Sequence, residues 1–301
     1  MRTVPVALVN QSTHFIEHID LVVAAQVLQA QVRRHFRPAW GVDTRITLVR
    51  PNASGRKLTG RGLTDLVAGK AILALLDHGS DPSQLGFHGL TWEDQPFAIV
   101  FVNRPGTKGL RPDWTRTASH ELLELLADPH LNGAAVNRPG PKTTEIYARE
   151  IGDPVEPDQY QIAVRAPGGE RHLRPVSNFV LPSWFEPSPP GAEGETIKRD
   201  HLGNLQNAFE LRPGGSIGSF NPSSRAWDMM VNRSDGNQAA SDGERVDGKK
   251  LAAQRLANER AHRLDRRGAV GSDPHQGEEI WTGEEIWTGE EIWTGEEIWT
   301  G

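Results

Sequence analysis

The sequence of 301 residues contains no cysteine. This absence excludes disulfide bonds and thiolate metal ligands, so any bound metal has to be held by histidine, aspartate and glutamate. Aromatic residues are also few, at 7% of the chain, whereas 37% of the residues are hydrophobic. A chain of this length and composition can still bury a sizeable core. The composition therefore favours a globular protein whose chemistry depends on imidazole and carboxylate groups.

Long apolar segments and an excess of basic residues are absent as well. No run approaches the roughly 18 apolar residues of a transmembrane helix, and the first residues lack the apolar core of a signal peptide. The net charge is -6 and the pI is near 6.0, which gives no global indication of nucleic-acid or membrane binding. We therefore expect a cytoplasmic protein with no nucleic-acid partner and no membrane partner.

Hydrophobic runs are concentrated in the first three quarters of the chain, which divides it into three regions. We expect an α/β (α+β) domain over residues 1–231, a polar linker over 232–276 with a basic helix near 249–266, and a disordered segment over 277–301. The last segment consists of perfect tandem repeats of Gly-Glu-Glu-Ile-Trp-Thr that start at residues 277, 283, 289 and 295. A hexapeptide is shorter than the roughly 20–50 residues of a solenoid repeat.

Apolar patterning in the first region predicts a series of strands and two helices. The buried strands are expected at 4–9, 45–49, 71–76 and 97–102, and further strands around 145–151, 159–164 and 176–181. Helical periodicity predicts one helix over 17–36, closed by Pro38, and a second over 113–127, capped by Asp113 or Thr115 and ended before Pro129. This order predicts a mixed sheet with the second helix packed against it.

The second predicted helix carries the residues most typical of a catalytic site. His120 and Glu124 are four positions apart, so both side chains project from one face of the helix and can bind one ion. Glu121 lies beside them, where a carboxylate can take the proton of a zinc-activated water. The pattern is a variant of the His-Glu-x-x-His zinc motif with glutamate in the last position. The alternative is an amphipathic helix whose Glu121 and Glu124 simply face water.

A catalytic zinc site needs a third protein ligand, and four acids are candidates. Asp128 lies two turns after His120 and either ligates the metal or orients His120. Glu150, Asp153 and Glu156 form an acidic cluster further along the chain. Spacing alone does not distinguish these acids, and the cluster also fits a solvated acidic turn.

Three further side chains are candidates for stabilising a developing oxyanion. They are His88, which precedes the strand predicted at 97–102, and the two tyrosines of the chain, Tyr147 and Tyr160. For each of them the alternative is a structural role, as a hydrogen-bonded histidine or a packed aromatic ring.

Residues 118–129 read Ala-Ser-His-Glu-Leu-Leu-Glu-Leu-Leu-Ala-Asp-Pro, and further stretches accompany them in order along the chain. These stretches are Leu-Gly-Phe-His at 85–88, Val-Phe-Val at 100–102, the segments 150–156 and 176–185, and a helix over 25–40 that ends in Arg-Pro-Ala-Trp. Together they resemble a little-characterised bacterial family of zincin-like proteins with a His-Glu-x-x-Glu motif. The resemblance covers most of residues 1–230. It implies a zincin-like core with an edge strand for substrate, an active-site helix and a third ligand downstream.

The chain departs from the pattern of this family in two places. Gly152 stands where the family pattern implies a larger residue, often cysteine. The region after about residue 232, with its tandem repeats, has no counterpart in the resemblance.

Three functions follow from these patterns. The first is a zinc metallopeptidase that acts on a peptide or protein, with Zn²⁺ held by His120, Glu124 and one downstream acid, and with Glu121 as the base. The second is a precursor protein whose repeats are the substrate of cleavage or modification, by the attached domain or by a modifying enzyme. The third is a zincin-like binding protein without turnover.

Overall fold

The computed structural model describes most of the first 233 residues and short segments beyond them. The described residues are 2–12, 16–49, 57–58, 67–79, 84–91, 94–103, 109–140, 143–187, 197–221, 225–233, 244–246, 286–287 and 292–294. The helices are α1 (His18–Gln31), α2 (Arg37–Trp40) and α3 (Trp114–Ala127), and a π-helical turn, Val32–Phe36, joins the first two.

Fifteen strands are found among the described residues. They are β1 (Arg2–Asn10), β2 (Val42–Val49), β3 (Lys57–Leu58), β4 (Ala71–Leu76), β5 (Gly86–Leu90), β6 (Pro96–Phe101), β7 (Ala134–Gly140), β8 (Thr143–Ala148), β9 (Gln159–Arg165), β10 (Arg171–Ser177), β11 (Ser216–Asn221), β12 (Ala226–Val231), β13 (Glu244–Val246), β14 (Ile286–Trp287) and β15 (Ile292–Thr294). Short 3₁₀ turns are formed by Asp153–Val155 and Pro182–Phe185.

The largest sheet is mixed and has the strand order β15-β2-β1-β4-β6-β5. β1 pairs in parallel with β2 and β4, and β4 pairs in parallel with β6. β5 pairs antiparallel with β6 and is the last strand on its side, and β15 pairs antiparallel with β2 on the other side. The expected mixed α/β architecture, with α3 packed against β5 and β6, is therefore confirmed.

The remaining strands form smaller antiparallel sheets. One has the order β13-β12-β11-β8-β7, and β9 and β10 form a two-stranded sheet that packs on α1 and α3. β14 pairs with β3. The two helices therefore lie between the large sheet and the β9–β10 pair.

Both faces of the large sheet are apolar, as parallel strands covered on both sides require. Val6 and Leu8 of β1 belong to the core that also contains the buried leucines of α3, whereas Ala7 and Val9 belong to a second cluster with Phe101. This alternation follows from the period of two along a strand.

Buried polar side chains connect the two long helices to β10. The side-chain amide of Gln31 donates to the Ser177 carbonyl over 2.9 Å and accepts from the Ser119 hydroxyl over 2.7 Å. The Ser119 oxygen also accepts the Ser177 N–H over 2.9 Å. Because Ser119 immediately precedes His120, this network sets the rotation and height of α3 at the start of the candidate site.

The expectation that Pro38 closes the first helix is wrong. α1 continues through the π-helical turn into α2, in which Pro38 occupies the first turn, and the helix ends at Gly41 with φ +67°. The π-turn before Pro38 is closed by the Arg37 N–H, which donates to the Val32 carbonyl, so the regular α-helical pattern is already interrupted where the proline stands. The π-turn thus joins α1 to α2 without a break in the helix.

The expected disorder after residue 231 is not confirmed where the structure describes the chain. Glu244–Val246 pairs with β12, and two segments of the repeats, Ile286–Trp287 and Ile292–Thr294, pair with β3 and β2. The expected basic helix near 249–266 lies outside the described residues. Within the described part of the chain, no helix is both long and apolar enough to cross a membrane.

His201 stacks between aromatic rings away from the candidate site. Its ring lies 5.1 Å from that of Phe179, nearly parallel to it, and 4.6 Å from that of His35. Burial, together with the charges of His35 and Lys198, lowers the pKa of His201 to about 4 against the opposing effect of Asp200. The folded protein therefore favours neutral His201.

We predict that His201→Phe reduces the loss of stability on acidification. A histidine with a depressed pKa in the folded state stabilises the fold above its unfolded pKa, near 6.5, and loses that contribution as the pH falls toward about 4. Phenylalanine keeps a ring against Phe179 but does not titrate. Denaturant unfolding of both proteins at pH 7.5, 6 and 4.5 measures the difference. Equal pH slopes would contradict the prediction.

Candidate metal centre

The candidate site is assembled from three parts of the fold. α3 contributes His120, Glu121 and Glu124, because its apolar residues anchor the opposite side of the helix in the core. β5 contributes His88 at the edge of the large sheet. The segment after β8 contributes Glu150 and Asp153, the latter at the start of a 3₁₀ turn.

One set of donor atoms surrounds the imidazole of His120. Its Nε2 lies 3.3 Å from Oε2 of Glu124 and 3.3 Å from Oδ1 of Asp153. These three side chains each offer a ligand atom within 4.8 Å of the others. The helical spacing of His120 and Glu124 thus places both side chains together as predicted, and Asp153 is the acid that joins them.

A second set surrounds the imidazole of His88. Its Nδ1 lies 3.4 Å from Oε2 of Glu121 and 3.4 Å from Oε2 of Glu124, and these ligand atoms are again within 4.8 Å of one another. On the other side of the ring, Nε2 lies 3.3 Å from Oε2 of Glu150. Glu124 therefore belongs to both sets.

The two oxygens of Glu124 have different environments. Oε1 accepts the backbone N–H of Gly152 over 3.0 Å. Oε2 is the atom that faces both His88 and His120. The backbone contact fixes the rotation of the carboxylate and keeps Oε2 between the two rings.

The carboxylates of the site are removed from water to an unusual degree for acidic residues. The side chains of Glu121, Glu124 and Glu150 are 7%, 3% and 8% exposed, and that of His88 is 9% exposed. Charged groups are seldom buried in this way unless they are paired or bind an ion. The alternative, in which Glu121 and Glu124 face water, is therefore wrong.

The pKa values follow from this burial and from the mutual charges. Burial by itself would lower the pKa of His88, but Glu150, Glu121 and Glu124 raise it well above its usual range. Burial likewise opposes protonation of His120, yet Glu124 and Asp153 raise its pKa well above the ordinary value. Burial raises the pKa of Glu124 to about 7, against the effect of His120. Positive charge is thus strongly favoured at this site.

Two glycines allow the close approach of the site's side chains. A Cβ on Gly152 would lie 2.5 Å from Nδ1 of His120, and a Cβ on Gly86 would lie 2.6 Å from Oε1 of Glu121. Neither distance is tolerated between real atoms. The glycine at 152, where the family resemblance implies a larger residue, is therefore required by the position of His120 in this chain.

A cavity of about 240 Å³ opens onto the site and is lined by His120, Glu121, Asp153 and Glu156, together with Gly86. The burial of Glu156 raises its pKa, which His120 opposes. Glu156 lines the cavity but belongs to neither set of donor atoms.

Arg116 is a cavity residue that the sequence analysis missed. Its guanidinium donates to the Glu156 carbonyl over 3.0 Å. It precedes His120 by four positions, so the helical period that relates His120 to Glu124 could have identified it. Arg116 supplies a fixed positive charge at the cavity wall.

Asp128 and Tyr147 are predicted site residues that lie outside both sets of donor atoms. The Asp128 carboxylate accepts the backbone N–H groups of Asn132 and Gly133, over 3.3 and 2.6 Å, and so stabilises the turn after α3. Its role as a metal ligand is not supported, because Pro129 ends the helix and turns the chain away. The hydroxyl of Tyr147 donates to the Glu145 carboxylate over 2.7 Å. Burial and the charge of Glu145 raise the pKa of Tyr147.

The other oxyanion candidates also have defined partners. The hydroxyl of Tyr160 lies 2.9 Å from Nδ1 of His35 and accepts from Gln31 over 3.2 Å, so it belongs to the contacts of α1. His88 is at the site, but its two ring nitrogens face carboxylates. An environment of this kind suits a metal ligand or a cation better than an oxyanion donor.

Comparison of the chain with protein-family models, with curated proteins and with solved structures finds no match. The geometry of the site therefore carries the functional argument.

The spacing of the donor atoms fits a divalent cation. Bonds of about 2.1 Å to a tetrahedral zinc ion place neighbouring ligand atoms about 3.4 Å apart. The nitrogen–oxygen distances at His88 and His120 are 3.3–3.4 Å. Charge-assisted hydrogen bonds between nitrogen and a carboxylate are shorter, at about 2.7–2.9 Å. The residues present thus fit zinc in number, chemical type and separation.

We predict that Gly152→Ala weakens zinc binding without removing a ligand. The added methyl group displaces the His120 ring, and disturbed positioning of a ligand typically lowers metal affinity about 10- to 100-fold. Competition with a chromophoric chelator measures the affinity. Gly218→Ala is the matched control, because its Cβ would meet Ala148 at an ordinary 3.4 Å. Unchanged affinity in Gly152→Ala would show that His120 does not bind the ion.

Proposed function

We propose that the protein is a zinc-dependent hydrolase, and that its ion is held by His120, Glu124 and Asp153. The observation that carries this proposal is the 3.3 Å spacing of Nε2 of His120 from both carboxylate oxygens, at a partly buried position beside a cavity. Three protein ligands and an open side are the composition of a catalytic zinc site. Among the acids considered in the sequence, Asp153 is the one whose position supports the role of third ligand.

Zinc at such a site acidifies water and polarises a carbonyl group. Glu121 follows His120 in α3 and lines the same cavity, so its carboxylate is placed to take a proton from a water there. Gly86 leaves room for Oε1 of Glu121 at the cavity wall. The buried environment of Glu121 excludes competing water from the carboxylate.

The substrate that we propose is a peptide bond. β5 is the terminal strand of the large sheet, and Leu85 and Gly86 at its start line the cavity. An extended peptide that pairs with this edge would lie beside the cavity that His120 lines. Arg116 supplies positive charge that can hold a substrate carbonyl or carboxylate. An antiparallel edge strand beside a metal-binding helix also supports the zincin-like fold that the sequence resemblance implies.

Metal analysis and peptidase assays of the purified protein test this proposal. We expect zinc in the wild-type protein, and loss of the ion assigned to His120 from the His120→Ala variant. We expect Glu121→Gln to lower the turnover of an unstructured protein substrate, such as a denatured casein, about 10²- to 10⁴-fold. The variant loses the base but keeps a side chain of nearly the same size. His130→Ala is the matched control, since His130 is exposed and belongs to neither set.

Two outcomes would overturn the proposal. Wild-type protein that binds no zinc, even after incubation with excess ion, would exclude the metal site. Zinc-loaded protein that hydrolyses the substrate equally well with Glu121→Gln would exclude the assigned base.

A further inference from the structure

We propose that the site holds two divalent cations rather than one, with Glu124 as the bridging ligand. The first is the ion assigned to His120, Glu124 and Asp153, so this inference rests on the proposed function. The second is bound by Nδ1 of His88 and the Oε2 atoms of Glu121 and Glu124.

The nitrogen–oxygen distances are 3.4 Å in the second set and 3.3 Å in the first. Nδ1 of His88 is 3.4 Å from Oε2 of both glutamates, which is the separation of neighbouring ligands around a zinc ion. The set contains an imidazole and two carboxylates, as does the first. Each set therefore supplies three ligand atoms, and Glu124 is the one residue that belongs to both sets.

The orientation of His88 supports its role as a metal ligand. A histidine that binds a metal through one ring nitrogen usually directs the other nitrogen to a carboxylate, which fixes the ring and increases its basicity. Nδ1 of His88 faces Glu121 and Glu124, and Nε2 lies 3.3 Å from Oε2 of Glu150. The His88 side chain is only 9% exposed, so it is almost fully buried. Glu150 is therefore a positioning residue for His88.

The net charge of the site favours a second divalent cation. The carboxylates of the two sets and their neighbours are those of Glu121, Glu124, Glu150, Asp153 and Glu156. Arg116 is the cation that lines the cavity with them. With neutral imidazoles, five carboxylates and one guanidinium leave four negative charges. One Zn²⁺ neutralises half of that excess, and two neutralise it fully.

The position of Glu124 is suited to bridging. A single oxygen, Oε2, is within 3.3–3.4 Å of a ring nitrogen in each set, while Oε1 is held by the Gly152 N–H. Paired metal ions in hydrolases lie about 3.5–4 Å apart and commonly share a ligand. A shared oxygen between two imidazoles allows such a separation. In this arrangement Glu121 binds through Oε2, and its Oε1, against Gly86, remains available to accept a proton.

Zinc stoichiometry tests this inference. The full-length protein is stripped with a chelator, reloaded with ZnCl₂, freed of excess ion, and analysed by native mass spectrometry and elemental analysis. We expect two zinc ions per chain in the wild-type protein and one in His88→Ala. Glu150→Gln keeps the size of the side chain that orients His88, and we expect it to weaken the second ion about 10- to 100-fold. The His130→Ala control should retain two ions, and circular dichroism checks the fold of each variant.

The outcomes separate the second ion from the first. One zinc per wild-type chain that is lost in His120→Ala but kept in His88→Ala would overturn the second site and leave the hydrolase proposal intact. Two ions that persist in both His88→Ala and Glu150→Gln would overturn the assignment of the second ion to His88. No zinc in the wild-type chain would overturn both proposals.

Discussion

The buried carboxylate of Glu124 is the group around which the site is arranged. Its side chain is 3% exposed, one oxygen accepts the Gly152 N–H, and the other faces the imidazoles of His88 and His120. A buried charge of this kind costs several kcal/mol unless positive charge compensates it, and the stability of a whole domain is only about 5–15 kcal/mol. The fold is therefore stable only if protons or cations occupy this position, and the donor spacing suits a cation.

The surrounding structure fixes this carboxylate from three directions. The leucines of α3 anchor the helix in the core of the large sheet, so Glu124 cannot rotate toward water. The Gln31–Ser119–Ser177 hydrogen bonds tie the start of the site to α1 and β10. The glycine at 152 allows the chain after β8 to approach His120 closely enough for its N–H to reach Glu124. These constraints come from different parts of the sequence, and all of them act on the part of α3 that carries His120 and Glu124.

Local patterns in the sequence were sufficient to predict the helix and the pairing of His120 with Glu124, because both depend on the helical period alone. The buried strands 71–76 and 97–102 were also evident from their continuous apolar residues. The sequence does not show which of Asp128, Glu150 and Asp153 joins His120 and Glu124, since this depends on how the chain folds back after β8. His88 was identified as a candidate with a different role, because β5 has no apolar run that predicts a strand, and its pairing with β6 is a tertiary contact. Pro38 does not end the first helix, because a π-turn places it in the first turn of α2.

Anomalous X-ray diffraction at the zinc absorption edge, from crystals of the protein grown without chelator, would show whether zinc occupies the site. We predict an anomalous peak within about 2.1 Å of Nε2 of His120 and of carboxylate oxygens of Glu124 and Asp153. Crystals grown with added zinc that show His120 hydrogen-bonded to both carboxylates at ordinary distances, and no anomalous peak between them, would contradict it. In that case protons would compensate the buried carboxylates, and the site would not be a metal centre.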